Sequence, residues 1–244
     1  MTPQDRENLE DLLAQQKPNF AAQLQQLARY RPDFARFGGE PPAPRFQQDW
    51  FPRLDAAMAY GMVRDRSPAR IVEIGSGHST RVMARAIADG DLAAEFTAID
   101  PKPRAPLTGL PIHHVGRRLQ DATAAPIQAL ASGDFLFIDS SHILRPGSDV
   151  ELLFRGLLPA LPIGAVVHIH DVFLPDTYPA SWAWRNYNEQ DALATLLLGG
   201  GWMPIFASHY VLTRMAQDFA ASIAAELPLP TGAFESSFWM EKTR

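Results

Sequence analysis

The stretch Arg70-Ile71-Val72-Glu73-Ile74-Gly75-Ser76-Gly77-His78-Ser79-Thr80 decides the fold. Its opening residues are apolar and rich in β-branched side chains, the pattern of a central parallel strand. Gly75 and Gly77 let the backbone turn tightly and approach a ligand closely. Ser79 or Thr80 caps the helix that follows, which stops at Gly90. A glycine turn at the carboxyl end of a first strand is where open α/β sheets bind nucleotide-like cofactors. The plainer reading is a tight turn with no ligand.

The spacing of the glycines narrows the choice. A dinucleotide fingerprint needs a third glycine three residues after the second, and Thr80 stands there. A phosphate loop needs a Gly-Lys-Ser/Thr ending, which is missing. Further on, Glu95 to Asp100 reads as a second strand ending in an acid, placed to accept hydrogen bonds from a ribose diol. Nicotinamide enzymes use the same device, so Asp100 alone does not choose the cofactor.

Working outward, strands and helices alternate. Strands are expected at 70–74, 96–100, 112–115, 134–139, 165–169, 202–207 and 237–241. Helices are expected at 47–64, 80–88, 124–131, 149–157, 188–198 and 215–227. This predicts an α/β fold: a doubly wound, mostly parallel seven-stranded sheet with helices on both faces. Residues 1–45 read as an N-terminal helical extension and linker, with helices at 4–16 and 20–29 split by Pro18. Residues 46–244 form the main domain. The two short helices carry Leu9, Leu12, Leu13, Leu24 and Leu27 at helical spacing. They are too short to be stable alone and are expected to dock at the site edge or on a homo-oligomer partner; the plainer reading is that they cover the core of their own subunit.

Composition sets the bounds. The chain has 244 residues and a net charge of −5, with 46% hydrophobic and 20% charged residues, an ordinary globular balance. The acidic balance and the lack of a basic stripe argue against a nucleic-acid partner. Without cysteine there is no disulfide and no thiolate metal site. No apolar run approaches a membrane span, and the polar start MTPQDRENLEDLL is unlike a signal peptide. A cytoplasmic enzyme is the expectation.

The chemistry gathers at two strand ends. The fourth strand ends Asp139-Ser140-Ser141-His142, and the fifth His168-Ile169-His170-Asp171. Both ends lie on the carboxyl edge of the sheet, beside the glycine turn. Neighbouring strands lie about 4.8 Å apart, so their terminal side chains can share one cation. His168 shares a strand face with His170 but lies deeper, as a buried structural histidine would. The segment after strand five offers Phe173, Tyr178, Trp182, Trp184 and Tyr187, aromatic faces suited to sugars, aromatic acceptors or a sulfonium cation.

These features resemble class I S-adenosylmethionine-dependent methyltransferases. Glu73, Gly75 and Gly77 match the acid-x-Gly-x-Gly-x-Gly motif, with Ser79 at the third glycine. The resemblance implies a cofactor site from Glu73, Gly75, Ser76, Gly77, Ser79, Asp100 and Asp139. Asp121, after the third strand, stands where such enzymes touch the adenine amino group; a plain loop acid is the other reading. Asp139 and Asp171 resemble two of the three metal ligands of a metal-dependent O-methyltransferase branch, and His170 occupies the third place, usually a carboxylate or amide. More closely, FIDSSH and HIHDVFLPDTYP resemble a bacterial group of the methyltransferase-24-like family, over roughly Trp50 to His209.

The implied activity is O-methylation of a small-molecule hydroxyl, sugar-like or natural-product-like. A cation (Mg, Mn, Fe or Zn) held by Asp139, His170 and Asp171 would lower the hydroxyl pKa. Without metal, His142 or His170 would act as general base. A nicotinamide-dependent oxidoreductase, or a non-catalytic cofactor-binding or assembly protein, remain the alternatives.

Overall fold

The structure is a computed structural model and describes residues 1–244. Seven strands form one sheet: β1 (Arg70–Ile74), β2 (Glu95–Ile99), β3 (His113–Val115), β4 (Phe135–Ile138), β5 (Val166–Ile169), β6 (Trp202–Ala207) and β7 (Phe238–Lys242). Their order is β3-β2-β1-β4-β5-β7-β6. All neighbours are parallel except β7, which runs antiparallel to both β5 and β6. The chain winds outward from β1 in one direction and from β4 in the other, so a crevice opens between their carboxyl ends. The central strands are buried along almost their whole length, as continuous apolar runs covered on both faces must be.

Several helix limits differ from expectation, each for a local reason. Pro18 does not split two helices; it sits in the first turn of the helix Lys17–Gln26, where the missing N–H would have had no partner anyway. The helix expected at 47–64 runs Arg53–Arg66. Pro52, in extended conformation, starts it, and the Gln48 side chain closes the preceding turn by accepting from Trp50 N and Phe51 N at 2.9 and 2.8 Å. The helix after Asp149 passes through a π turn, Leu153–Leu157, before ending at Ala160. Residues 124–131 make only the single turn Ala125–Gln128. The insert expected at 215–227 breaks into Ala216–Ala220 and a 3-10 turn, Ile223–Glu226, with Ser222 extended between them.

The N-terminal helices pack on the core of their own chain. Leu9, Leu13, Phe20, Leu24 and Leu27 all join the same hydrophobic core as the sheet. Phe20 meets Phe206 and Tyr210 edge-on, at 5.7 and 6.2 Å. The Gln23 side chain donates to Ile205 O at 2.5 Å, and Arg31 pairs with Glu226 through both guanidinium ends at 2.6 and 2.7 Å. The segment read as a linker contributes Phe34 and Phe37, which pack with Tyr30, Phe46 and Tyr60. No helix is long and apolar enough to cross a membrane.

Candidate functional site

A cavity of about 910 Å³ opens at the carboxyl edge, between the glycine turn and the ends of β4 and β5. The turn forms one wall. Gly75 has φ +86°, and its N–H donates to Ile99 O at 3.1 Å. A β-carbon there would stand 2.0 Å from the carbonyl oxygen of Asp139. Glycine is therefore imposed by the neighbouring strand end as well as by backbone conformation. A β-carbon at Gly77 would stand 3.0 Å from Arg104 Cβ.

Glu73 is fully buried under this turn and does not line the cavity. It accepts from the hydroxyls of Ser79 and Thr80 at 2.5 and 2.6 Å, while Thr80 Oγ1 accepts from Gly77 N–H at 2.8 Å. The acid thus holds the turn in shape rather than reaching a ligand. Burial pushes its carboxyl up to about 8 against the pull of the two hydroxyls.

Ser76, Gly77, Ser79 and Asp100 line the cavity. Asp100 accepts from Ser76 Oγ at 2.9 Å and from Lys102 N–H at 2.8 Å. That pins its carboxylate at the end of β2, one strand away from the turn. Asp121 lies elsewhere. It sits on the 3-10 turn Leu119–Asp121, its side chain half exposed, and accepts from Arg118 Nε at 2.7 Å. Its neighbours Leu119 and Gln120 line the cavity in its place.

The opposite wall is an acid–imidazole cluster. Asp139, His142, His170 and Asp171 all line the cavity. His142, with φ +58°, turns its buried ring back toward the strand ends. Its Nε2 lies 3.2 Å from Asp139 Oδ1 and 3.5 Å from Asp171 Oδ2, and its Nδ1 lies 2.8 Å from Glu189 Oε2. Burial opposes the imidazolium, but the hydrogen bonds to Asp139 and Glu189 and the Asp171 charge hold its pKa well above the ordinary value. Burial likewise opposes ionisation of Asp139; hydrogen bonds and charge from His142 and His170 outweigh it and hold the carboxyl far below the usual range.

His170 is placed differently from expectation. Its Nε2 faces Asp55 Oδ2 at 3.1 Å, and its Nδ1 faces Asp171 Oδ1 at 3.3 Å. Asp55, wholly buried, also accepts from the N–H groups of Ser236 and Ser237 at 2.9 and 3.1 Å. Both imidazole nitrogens of His170 are thereby committed to carboxylates. The three residues whose ligand atoms lie within 4.8 Å of one another are Asp139, His142 and Asp171. The imidazole in that group is His142, while His170 Nδ1 lies 3.3 Å from Asp171 Oδ1 and 3.8 Å from Asp139 Oδ1. His168 is a packing residue: it is buried, stacks on Phe137 at 3.7 Å and meets Ser237 Oγ at 2.8 Å. Burial and the His170 charge hold its pKa well below the ordinary value.

Sequence reasoning missed Asp55 and the counter-ion role of Glu189. Asp55 reads as an ordinary polar position of an amphipathic helix. Glu189 carried a faint signal, as one of the polar residues opening the helix Glu189–Leu198. Among the aromatic residues after β5, Trp182 and Tyr187 line the cavity with Phe234 from the β6–β7 connection. Phe173 is buried behind Trp182, at 5.2 Å, whereas Trp184 is 74% exposed.

Residues 72–172 match a family model described as a methyltransferase domain, of the methyltransferase-24 group. No curated protein matches the chain. Among solved structures, the chain is similar to the SAH-bound methyltransferase PaMTH1 of Podospora anserina, at 15% identity and TM-score 0.48, covering 100% of this chain and 99% of that one. It is also similar to the O-methyltransferase TomG of Streptomyces achromogenes in complex with SAM, at 18% identity and TM-score 0.45, covering 92% and 90%. The matched residues span the glycine turn, Asp100 and the ends of β4 and β5.

Proposed function

We propose that the chain transfers a methyl group from S-adenosylmethionine to a hydroxyl of a small molecule. The observation that carries the reading is a single cavity joining the glycine turn and Asp100 to the cluster of Asp139, His142 and Asp171. On this reading Gly75, Ser76 and Gly77 present backbone to the cofactor, and Asp100 accepts from its ribose hydroxyls. Fixing donor and acceptor in one cavity removes much of the entropy of bringing them together. Trp182, Tyr187 and Phe234 bound the acceptor side and limit access of water.

The donor set fits a divalent cation. Two carboxylates and one imidazole converge there, and the other nitrogen of that imidazole meets a buried carboxylate, Glu189. Metal-bound histidines are usually oriented by such a partner. An imidazole in the set suits manganese, iron or zinc. A bound cation would supply a lowered pKa for the acceptor hydroxyl. In the metal-free alternative His142, oriented at Nδ1 by Glu189, would take the acceptor proton. A non-catalytic binding role and a nicotinamide enzyme are the competing classes. Titration calorimetry with S-adenosylmethionine and with NAD, followed by product analysis with a panel of hydroxyl acceptors, separates them. Tight NAD binding without S-adenosylmethionine binding would reject the proposal.

A further inference from the structure

The aromatic wall of the cavity carries a cation without a counter-ion. Arg185 ends the 3-10 segment Ala180–Arg185 and lines the cavity. No carboxylate lies within ion-pair distance of it; Arg104 and Arg145, which also line the cavity, likewise hold no acid, but only Arg185 stands among the aromatic side chains after β5. Its Nη1 donates to the Tyr187 hydroxyl at 2.9 Å. Its guanidinium lies 4.4 Å from the Trp182 ring centre and 5.4 Å from that of Tyr187. Aromatic faces on a guanidinium fix its plane while leaving its positive charge in place. Its Nε is buried and has no acceptor, a costly state for a charged donor.

The position of this group bears on the reaction. Tyr187 also packs against the His142 ring, with centres 4.7 Å apart. One aromatic side chain therefore separates the unpaired guanidinium from the acid–imidazole cluster. The glycine turn and Asp100, which would hold the cofactor, belong to the other wall. We infer that Arg185 binds a carboxylate of the methyl acceptor, which makes the acceptor an aromatic hydroxy acid. A planar fork of N–H donors matches a carboxylate. Trp182, Tyr187 and Phe234, which line the same cavity, suit a flat ring. The inference rests on the proposal that this cavity holds cofactor and acceptor together.

Full-length protein is titrated first with S-adenosylhomocysteine, then, saturated with it, with protocatechuate and with the methyl ester of protocatechuate. Arg185→Gln and Arg185→Lys are treated in the same way. Wild type should bind the acid about 10- to 100-fold more tightly than the ester, the scale of a charge-assisted hydrogen bond. Arg185→Gln should lose that preference with unchanged affinity for S-adenosylhomocysteine, and Arg185→Lys should keep part of it. Equal binding of acid and ester to wild type, or binding of neither, would overturn the inference. So would a drop in S-adenosylhomocysteine affinity in Arg185→Gln, which would assign the guanidinium to the cofactor carboxylate. Failure of wild type to bind S-adenosylhomocysteine would strike the methyltransferase proposal instead.

Discussion

The two walls of the cavity are built by opposite means. The wall proposed for the cofactor is local: Glu73, Gly77, Ser79 and Thr80 satisfy one another around a single turn, and Asp100 joins from the adjacent strand through Ser76. The acceptor wall is assembled from distant pieces. His142 depends on Glu189, and His170 depends on Asp55, 115 positions away. The contrast teaches that backbone shape secures one wall and buried charge secures the other. Damage to each should look different.

The strongest test of the local wall is Gly75→Val. A side chain there collides with the Asp139 carbonyl, at 2.0 Å for the β-carbon alone, and strains a backbone at φ +86°. It should abolish S-adenosylhomocysteine binding and lower the melting temperature sharply. A folded variant with normal affinity would show that the turn is less constrained than its geometry implies. Next in size, Asp55→Ala should destabilise by about 3–5 kcal/mol in chemical denaturation, because it leaves His170 Nε2 and the N–H groups of Ser236 and Ser237 buried without an acceptor. A loss below about 1 kcal/mol would mean that buried charge does not secure the acceptor wall.

Glu73 tests the boundary between the two kinds of construction. Its folded pKa of about 8 stands above the ordinary 4.5. Above pH 4.5 the unfolded chain releases this proton, while the folded chain keeps it until about pH 8. Stability therefore falls as pH rises through that window. Glu73→Gln, which mimics the protonated acid, should gain on wild type by ~2 kcal/mol between about pH 6 and 8. Parallel stability profiles of the two proteins would contradict the assigned burial cost.

Two smaller effects separate cofactor from metal. Asp100→Ala should weaken S-adenosylhomocysteine binding by about 1.5–3 kcal/mol and leave manganese uptake intact. Glu189→Gln should do the reverse, lowering manganese affinity about tenfold with little change in cofactor affinity. If both variants lose both ligands, the walls are not independent.

Legibility followed the same division. The glycine turn, the strand alternation and the acids ending β2, β4 and β5 could be read because each is a local pattern: a period, a breaker or a terminal acid. Asp121 misled because its distance from β3 is right, while its side chain turns outward to Arg118. His170 and His142 were both visible, but the turn of His142 Nε2 onto Asp139 and Asp171 depends on the left-handed backbone at His142. Asp55 had no signal, since its partners come from β5 and the start of β7. Arg185 could not be distinguished from other arginines until its place among the cavity's aromatic rings was seen in three dimensions.

The shared core of the N-terminal helices has a consequence for synthesis of the chain. Phe20 and Gln23 are made early, but their partners Ile205, Phe206 and Tyr210 are made late. At ribosomal speed the delay is on the order of ten seconds or more. Through that interval two short helices, too weak to persist alone, must wait with their leucines unburied. The nascent chain is then a client for any factor that shields apolar segments at the tunnel exit, and that shielding ends only when β6 emerges.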